Sequence, residues 1–443
     1  MSILEELKWR GLVADCTDAA ELAKRLAAPI TLYCGFDPTA DSLHAGNLVP
    51  LLALRRFQLL GHHPIAVAGG ATGMVGDPSG KIQERQLLTP EVLAHNIARV
   101  KEQLQQLLDF ETRVNPAWLV DNASWTANVS YLDFLRDIGK HFSVNQMVAK
   151  ESVRARMEDR EAGISYTEFS YMLLQAFDFY LLCRDHNCEL QIGGSDQWGN
   201  ITAGIDLTRK KLGKPVYGLT LPLITNADGS KFGKTVAGAI WLDAKRTSVY
   251  KFYQFWINTD DRDVIRYLKF FTFLSKEEIE ALEKKHADNP GTREAHRALA
   301  KAATDLIHGP DATAEAIRAS EALFKGNLAS LPKEILDEIE VPRSVFDPSG
   351  TSGDYNPLNH PLYEVIAQYG ISGSKSQARK DIESGGIYVN DERVTNPNAP
   401  VTPNQFLYSE HMAIRKGRKN YHIISGSAPI ASEPIQLPPS SID

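Results

Sequence analysis

The sequence predicts an α/β fold: a doubly wound parallel (Rossmann-like) sheet, followed by an all-α domain and a small α+β domain. Up to residue 250, short apolar runs of strand length alternate with longer segments of helical period, as in a parallel sheet with crossover helices. After Tyr250 the periodic segments are all helical, and strand-like runs return only beyond residue 360. These observations predict domains over residues 1–250, 251–340 and 361–425.

The elements predicted for the first domain follow this alternation. Strands are predicted where apolar residues run together, at residues 29–32, 64–68, 117–120, 189–192 and 219–225. Helices are predicted at 48–60, 90–108 and 131–138, after a cap at Thr167, and from the glycine-rich stretch 193–197 to residue 212. An amphipathic helix over 4–26, broken near 15–17, precedes the first strand.

The remaining elements fall into the two later domains. Helices are predicted at residues 263–270, 275–285, 292–307 and 313–324, the second with Ser275 and Glu278 as a capping box. Residues 341–360 are rich in Pro, Gly, Ser and Asp and predict a linker. The last domain combines helices at 363–369 and 374–383 with a strand at 386–390, and a disordered tail over 426–443 is expected.

Composition narrows the class of protein. The 443 residues suffice for two or three domains with a sizeable core, and the net charge of −7 argues against a uniformly basic nucleic-acid binder while allowing a local basic patch. The polar start at residues 2–10 does not resemble a signal peptide, so we expect a cytoplasmic protein without a membrane span. Cys183 and Cys188 lack a second pair, and we predict no metal site.

A strand-to-helix turn at residues 33–47 is the first candidate site. Ligands bind beyond the carboxyl ends of parallel strands, and a helix N-terminus attracts phosphate. Gly35 and Gly46 let a ligand approach the backbone, and His44 and Asn47 can donate hydrogen bonds to phosphate oxygens. The alternative is a helix cap followed by a histidine with ordinary partners.

Two further loops carry basic residues. A turn at residues 228–230 delivers Lys231 and Lys234 with Thr235, which alone indicates a solvated basic loop. The loop over 73–85 carries Lys81 and Arg85; its glycine spacing is wrong for a P-loop and no Ser or Thr follows Lys81, so we interpret it as a loop close to substrate.

A predicted helix carries a polar stripe. Tyr171, Gln175 and Asp178 are spaced i, i+4 and i+7, which places a phenol, an amide and a carboxylate on one face. Such a stripe can be a solvated surface. Because its neighbours are mostly apolar, we expect it to line a pocket.

Taken together, these motifs resemble class I aminoacyl-tRNA synthetases. The turn ending at Asn47 and the lysine loop resemble the HIGH and KMSKS signatures. Further stretches are similar to bacterial tyrosyl-tRNA synthetases, namely GFDPTADSLH at 35–44, GGATG at 69–73, GDPS at 76–79 and QIGGSDQWGNI at 191–201. Ala45 and Asn47 depart from the usual HIGH residues, and Asn47 keeps a neutral donor.

The resemblance implies a reaction and its participants. Tyrosine would attack the ATP α-phosphorus, and the acyl group would pass to a terminal ribose of tRNA(Tyr); ATP would come as a substrate with Mg²⁺, no cofactor would be permanently bound, and the enzyme would be a homodimer. The catalytic residues implied are His44, Asn47, Lys231, Lys234, Thr235, Lys81 and Arg85. Those implied for tyrosine are Tyr33, Asp77, Tyr171, Gln175 and Asp178, and those for ATP or adenylate are Gly35, Asp37, Thr39, Gly46, Asp196, Gln197 and Lys234.

The last domain resembles the small alpha-L RNA-binding domain of certain ribosomal proteins and pseudouridine synthases. Two basic clusters would contact RNA, comprising Lys375, Arg379 and Lys380 on a predicted helix and Arg415, Lys416, Arg418 and Lys419 at a strand end. Two alternatives stay open at this point: a small-molecule nucleotidyltransferase and a catalytically silent RNA-binding protein. The helical and RNA-binding domains weigh against the first, and the lysine loop and polar stripe against the second.

Overall fold

The computed structural model describes residues 2–79, 88–158, 163–235, 238–325, 328–339, 341–347, 355–417 and 420–426. The chain divides into two compact units, Met1–Thr313 and Ala314–Asp443. Helices predicted from 263 to 307 therefore belong to the unit that contains the first sheet. The finer division into three domains stays a prediction.

The first unit is built on a five-stranded parallel sheet. Its strands are β1 Thr31–Phe36, β2 His63–Ala68, β3 Trp118–Asp121, β4 Cys188–Gly194 and β5 Tyr217–Leu221. Their order in space is β3-β2-β1-β4-β5, so the direction of winding reverses between β1 and β4. In a doubly wound sheet this switch point is where a ligand binds.

Helices of the first unit cover the sheet and continue beyond it. They are α1 Ile3–Arg10, α2 Ala19–Arg25, α3 Leu48–Leu59, α4 Pro90–Leu107, α5 Ala123–Thr126, α6 Tyr131–Asp137, α7 Val144–Val148, α8 Glu151–Glu158, α9 Tyr166–His186, α10 Trp198–Leu212, α11 Val249–Ile257, α12 Val264–Phe271, α13 Lys276–Asp288 and α14 Glu294–His308. A short hairpin, β6 Lys234–Thr235 with β7 Gly238–Ala239, lies between α10 and α11. No helix among the described residues has the length and apolar character needed to cross a bilayer.

Three sequence predictions need correction at their ends. The strand predicted at residues 29–32 runs instead to Phe36, because Tyr33 to Phe36 pair with β2 in parallel register. The strand predicted at 219–225 ends at Leu221. Ser165, not Thr167, caps α9, and its Oγ accepts a hydrogen bond from the Glu168 N–H at 3.2 Å. The apparent cap was therefore displaced by two residues.

The second unit has its own sheet and core. After α15 Pro310–Lys325, which crosses the boundary, its helices are α16 Lys333–Glu338, α17 Leu362–Gln368 and α18 Lys375–Glu383, and its strands are β8 Arg343–Val345, β9 Ile387–Val389, β10 Glu392–Val394, β11 His411–Lys416 and β12 Asn420–Ser425. The spatial order is β10-β9-β11-β12-β8. Because β8 pairs in parallel with β12, the linker predicted over 341–360 is wrong for these residues.

Candidate active site

A cavity of about 630 Å³ lies at the carboxyl ends of β1 and β4. Fourteen of the residues proposed from the sequence line it: Tyr33, Gly35, Asp37, Thr39, His44, Gly46, Asn47, Asp77, Tyr171, Gln175, Asp178, Asp196, Gln197 and Lys231. Lys81 and Arg85 lie outside the described residues, and so do the side chains of Lys234 and Thr235, whose backbone forms β6. The polar stripe of α9 thus faces a cavity.

The deepest charged group of the cavity is Asp178, which is 4% exposed. Its Oδ1 accepts a hydrogen bond from the indole Nε1 of Trp125 at 2.8 Å, and its Oδ2 accepts one from Asn122 Nδ2 at 3.0 Å. Burial raises the pKa of Asp178 to about 7, and the two donors act in the opposite direction by stabilising the carboxylate. The carboxyl group is therefore fixed in place with acceptor capacity left over.

Tyr33 lies beside this carboxylate. Its ring packs on Phe179 at 5.3 Å, and its buried hydroxyl has no hydrogen-bond partner among the described residues. Burial, and next the charge of Asp178, raise the pKa of Tyr33 well above its usual value, so the phenol stays protonated. An unsatisfied buried hydroxyl costs stability unless a ligand completes it.

A second polar cluster lies around Asp77. The Asp77 carboxylate accepts hydrogen bonds from Gln197 Nε2 at 2.6 Å and from the Ser79 N–H at 3.0 Å. Asn200 Nδ2 donates to Gln175 Oε1 at 2.9 Å. The cluster presents oxygen atoms to the cavity, which suits a bound cation or ammonium group.

A hydrogen-bonded chain joins the carboxylate of Asp37 to that of Asp178. The Tyr171 hydroxyl donates to Asp37 Oδ2 at 2.8 Å, and the Thr72 hydroxyl donates to Asp37 Oδ1 at 2.7 Å. Asn122 Nδ2 reaches Thr72 Oγ1 at 3.1 Å as well as Asp178. One buried amide therefore orients groups on two sides of the cavity.

The turn before α3 is organised by its own side chains. His44 Nδ1 accepts a hydrogen bond from the Gly46 N–H at 3.1 Å, and Asn47 Oδ1 accepts one from the His44 N–H at 3.0 Å. The histidine thus caps the helix, which was the alternative to a ligand-binding turn in the sequence analysis. It also lines the cavity. The cap fixes the ring so that Nε2, the other ring nitrogen, points away from Gly46.

Charge in the cavity is mostly negative. Burial, and then the neighbouring Asp77, raise the pKa of Asp196, while the nearby Lys231 lowers it. Four aspartates, Asp37, Asp77, Asp178 and Asp196, share the lining with Lys231. Such a balance favours a ligand with a positively charged group at one end and phosphate near the lysine loop.

Sequence reasoning missed two polar residues that line this cavity, Thr72 and Asn122, and two that hold its lining residues in place, Trp125 and Asn200. Asn122 follows the end of β3 directly, and the rule that ligands bind beyond strand ends would have indicated it. Thr72 and Asn200 stood inside the glycine-rich motifs. No local signal marks Trp125, because its partner Asp178 is 53 positions away.

One group among the described residues could hold a metal ion, comprising Asp261, His286 and His296. His296 Nε2 lies 3.1 Å from both the Thr259 carbonyl and Asp261 Oδ1, contacts that an imidazole N–H makes without an ion. Cys183 and Cys188 are buried free thiols.

The basic residues predicted for RNA differ in their surroundings. Lys375 pairs with Glu364 at 2.8 Å, and Lys416 pairs with Asp381 at 2.7 Å. Arg379 lies over the ring of Tyr363 at 3.6 Å, and Arg415 over that of Tyr388 at 3.7 Å. Lys380 is exposed, and Arg418 and Lys419 lie outside the described residues. The two stacked arginines and the exposed Lys380 are the more available cations among the described residues of this set, since Lys375 and Lys416 are paired with carboxylates.

The sheet order, the cavity at its switch point and the adjoining lysine loop define a class I aminoacyl-tRNA synthetase. The family described as "tRNA synthetases class I (W and Y)" matches residues 24–325, and a second, "Tyrosine--tRNA ligase SYY-like C-terminal domain", matches residues 351–424. The tyrosine–tRNA ligase of Opitutus terrae is 58% identical over 427 residues, 96% of this chain and 99% of the relative. That of Geobacillus stearothermophilus is 54% identical over 428 residues, with the same coverage. The chain belongs to the tyrosine–tRNA ligase family, whose members attach tyrosine to its tRNA.

Solved structures agree with this assignment. A C-terminally truncated mitochondrial tyrosyl-tRNA synthetase of Aspergillus nidulans superposes with a TM-score of 0.66 at 32% identity, over 73% of this chain and 94% of the other. A tryptophanyl-tRNA synthetase of Encephalitozoon cuniculi, at 16% identity and a TM-score of 0.51, shares the fold over 71% of this chain and 87% of its own.

Proposed function

We propose that the cavity carries out both half-reactions of tyrosine–tRNA ligation. The proposal is carried by two groups at the buried end of the cavity: the Asp178 carboxylate, which its donors fix in place, and the neighbouring Tyr33 hydroxyl, which has no hydrogen-bond partner among the described residues. The phenol of a bound tyrosine could donate a hydrogen bond to the carboxylate there and accept one from the Tyr33 hydroxyl, whereas phenylalanine and tryptophan have no hydroxyl to do so. Both half-reactions then take place at the same bound tyrosine.

The other end of tyrosine would meet the polar cluster around Asp77. The ammonium group would bind to Asp77, Gln175 and the Tyr171 oxygen, all of which line the same cavity. The hydroxyl proton of Tyr171 is already donated to Asp37, so its oxygen is oriented as an acceptor. The substrate carboxylate is thereby left facing the lysine loop and the His44 turn.

That carboxylate is the nucleophile, so the protein needs no catalytic serine, cysteine or base. The enzyme lowers the barrier by positioning and by stabilising charge on the departing diphosphate. His44 and Asn47 would contact the ATP phosphates and ribose, with Gly35, Asp37, Thr39, Gly46, Asp196 and Gln197 around the adenylate. Lys231, Lys234, Thr235, Lys81 and Arg85 would bind the diphosphate together with Mg²⁺ brought by ATP.

Isolation of the enzyme-bound adenylate tests the first half-reaction. The enzyme is incubated with ATP and radiolabelled tyrosine, phenylalanine or tryptophan, and the complex is separated from free amino acid by gel filtration. Retained label with tyrosine alone supports the proposal; retained tryptophan or phenylalanine contradicts it. Lys231→Ala and Lys234→Ala should slow adenylate formation about 100-fold, the scale of one transition-state contact, at unchanged tyrosine affinity.

We also propose that the functional enzyme is a homodimer. Large apolar side chains are exposed together on and near α6 and α9: Tyr131 is 63% exposed, Leu132 74% and Tyr166 64%. The two tyrosine hydroxyls lie 3.4 Å apart, so these residues form one patch. A second copy of the chain is the occupant that the family suggests.

Light scattering on Leu132→Lys tests the dimer. The variant should be monomeric at concentrations where the wild type is dimeric, since a charge in an apolar interface remains unpaired. Val114→Lys is the matched control, because Val114 is also exposed, at 80%, outside this patch. A dimeric Leu132→Lys, or a monomeric wild type, contradicts the proposal.

The second unit is proposed to bind tRNA(Tyr) through its stacked arginines. Arg379→Ala and Arg415→Ala should each reduce the slope of log affinity against log salt by about 1. Lys333→Ala is the control, because Lys333 is paired with Glu410 at 2.7 Å in the same unit. Unchanged slopes for both arginine variants contradict the assignment.

We also propose that the protein is located in the cytoplasm. Its four cysteines are free thiols, as expected for a protein in a reducing compartment.

A further inference from the structure

The lysine loop begins as a hairpin over residues 224–232. The Phe232 N–H donates to the Ile224 carbonyl at 3.4 Å, and the Asn226 N–H to that of Ser230 at 2.9 Å. Gly229 closes the tip with φ of 83°. This hairpin delivers Lys231 to the edge of the cavity.

Phe232, the residue between the lysine and the glycine, is buried in an aromatic socket. Its exposure is 6%. Its ring stacks on that of Phe271 at 4.9 Å and meets the edge of Tyr267 at 5.0 Å. Phe255 and Trp256 of α11 complete the socket, at 5.5 and 5.9 Å. A side chain inside the lysine motif is thus held by two helices that lie outside the cavity.

The first turns of α12 hold the same hairpin by polar contacts. The Tyr267 hydroxyl donates to Asn226 Oδ1 at 2.7 Å, and the Ala227 N–H donates to Asp263 Oδ2 at 2.7 Å. Arg266 Nη2 donates to the Thr225 carbonyl at 2.6 Å. Asp263 is 3% exposed, so its contact is shielded from water and from salt.

The opposite end of α12 is fixed to α1 and α3, which belong to the same unit as the parallel sheet. Arg56 of α3, 1% exposed, donates from Nη2 to the carbonyls of Phe270 at 3.0 Å and Thr272 at 2.8 Å. Arg10 donates to the Lys269 carbonyl at 2.9 Å. The helix therefore forms a rigid mount between the α3 layer and the hairpin.

The other side of the loop faces the His44 turn. Gly233 has φ of 75°, and a Cβ built there would lie 3.5 Å from the Gly46 nitrogen. The Ile240 N–H returns to the Gly233 carbonyl at 3.0 Å, and the Ile240 carbonyl accepts from the Ala45 N–H at 2.8 Å. The segment between Lys231 and Lys234 is thus held on two sides, by the packing of Phe232 on α11 and α12 and by the contact of Gly233 with the His44 turn.

We propose that Phe232 is a positioning residue for the reaction: with Asp263 and Tyr267 it sets the lysine loop against the cavity, so the α11–α12 layer controls diphosphate binding without touching tyrosine. The inference rests on the proposed role of Lys231 and Lys234. A displacement of about 1 Å in a catalytic group costs about 100-fold in rate. Loss of the socket should therefore lower kcat for tyrosine activation and raise KM for ATP.

The experiment compares Phe232→Ala and Tyr267→Phe with wild type and with Phe273→Ala. Phe273 is the control because it is an aromatic residue just after α12 that lies outside the socket. It is 37% exposed, and its ring centroid lies 5.0 Å from Arg56 Cζ. Adenylate burst size gives the fraction of folded active sites, and ATP–diphosphate exchange gives kcat and KM. We expect Phe232→Ala to lose at least 10-fold in kcat per active site and to keep tyrosine affinity within about twofold. Phe273→Ala should keep both.

Double variants with Lys231→Ala separate positioning from stability. If Phe232 and Tyr267 act through the lysines, their variants should cost much less in the Lys231→Ala background than in wild type. Full multiplicative losses in both backgrounds, or equal losses in tyrosine affinity and kcat, overturn the proposal. Tyr267→Phe keeps the ring and removes only the hydroxyl, so it remains informative if Phe232→Ala does not fold. Absence of tyrosine activation in the wild type would instead refute the proposed function itself.

Discussion

The indole Nε1 of Trp125 donates to Asp178 Oδ1 at 2.8 Å, across 53 positions of sequence. Because Trp125 lies in α5 and Asp178 in α9, this hydrogen bond joins two helices at the buried end of the cavity. With Asn122 on the other oxygen, it fixes the carboxylate plane before any substrate arrives. If Asp178 binds the substrate phenol as proposed, amino-acid choice depends also on Trp125 and Asn122, which need not touch tyrosine.

Asn122→Ala should weaken tyrosine activation through the loss of this orientation. A hydrogen bond to a charged group contributes about 1.5–3 kcal/mol, which corresponds to about 10–100-fold in kcat/KM. Trp125→Phe should behave alike, because it keeps an aromatic side chain and removes the N–H. Exchange kinetics with tyrosine measure both. Asn128→Ala, from an exposed amide of the same segment, is the control and should match wild type.

The free energy of unfolding should decrease as pH rises, because of Asp178. Its pKa is raised to about 7 by burial, whereas the unfolded chain has about 3.8, so between these values the folded state holds the extra proton. The stabilisation is complete below the unfolded pKa and is lost as pH rises through about 7. Asp178→Asn should therefore be more thermostable than wild type at pH 8, with a smaller difference at pH 5. A larger advantage at pH 5 would contradict the burial assigned to this group.

Gly69→Ala should abolish activity. A Cβ at Gly69 would lie 2.1 Å from Asp37 Oδ1 and 2.5 Å from Thr72 Oγ1, so the chain that orients Asp37 must break. Gly199→Ala is a matched substitution in α10, where the nearest atom would be Lys150 Cδ at 3.6 Å, and a helical alanine is about 1 kcal/mol better than glycine. Thermal melts and exchange rates compare them; an active Gly69→Ala would show that the Asp37 network is dispensable.

The sheet and the cavity's lining could be predicted because their signals are local. Apolar runs indicated all five parallel strands, and the i, i+4, i+7 stripe of Tyr171, Gln175 and Asp178 indicated a pocket face. Strand ends were less predictable: β1 continues to Phe36 because β2 pairs with it, and that pairing has no sequence signal.

Long-range contacts account for the rest. From the sequence alone, Trp125 is indistinguishable from an ordinary apolar residue of a short helix. Its role becomes visible only in the fold, where α9 places Asp178 next to its indole. Strand β8 is short and lies in a Pro- and Gly-rich stretch, and it becomes a strand through β12, about 80 positions away. Phe232 likewise gave no indication of its socket, which α11 and α12 assemble.

In the proposed mechanism, Asp178 recognises the phenol of the substrate. The measurement is the ratio of kcat/KM for tyrosine to that for phenylalanine, in ATP–diphosphate exchange, for wild type and Asp178→Ala. Since a pocket built to bond a hydroxyl leaves its polar groups unpaired with phenylalanine, wild type should strongly prefer tyrosine. The variant should lose far more activity with tyrosine than with phenylalanine, so the ratio collapses. A wild type that prefers phenylalanine or tryptophan, or an Asp178→Ala enzyme with an undiminished ratio, would contradict this role of Asp178.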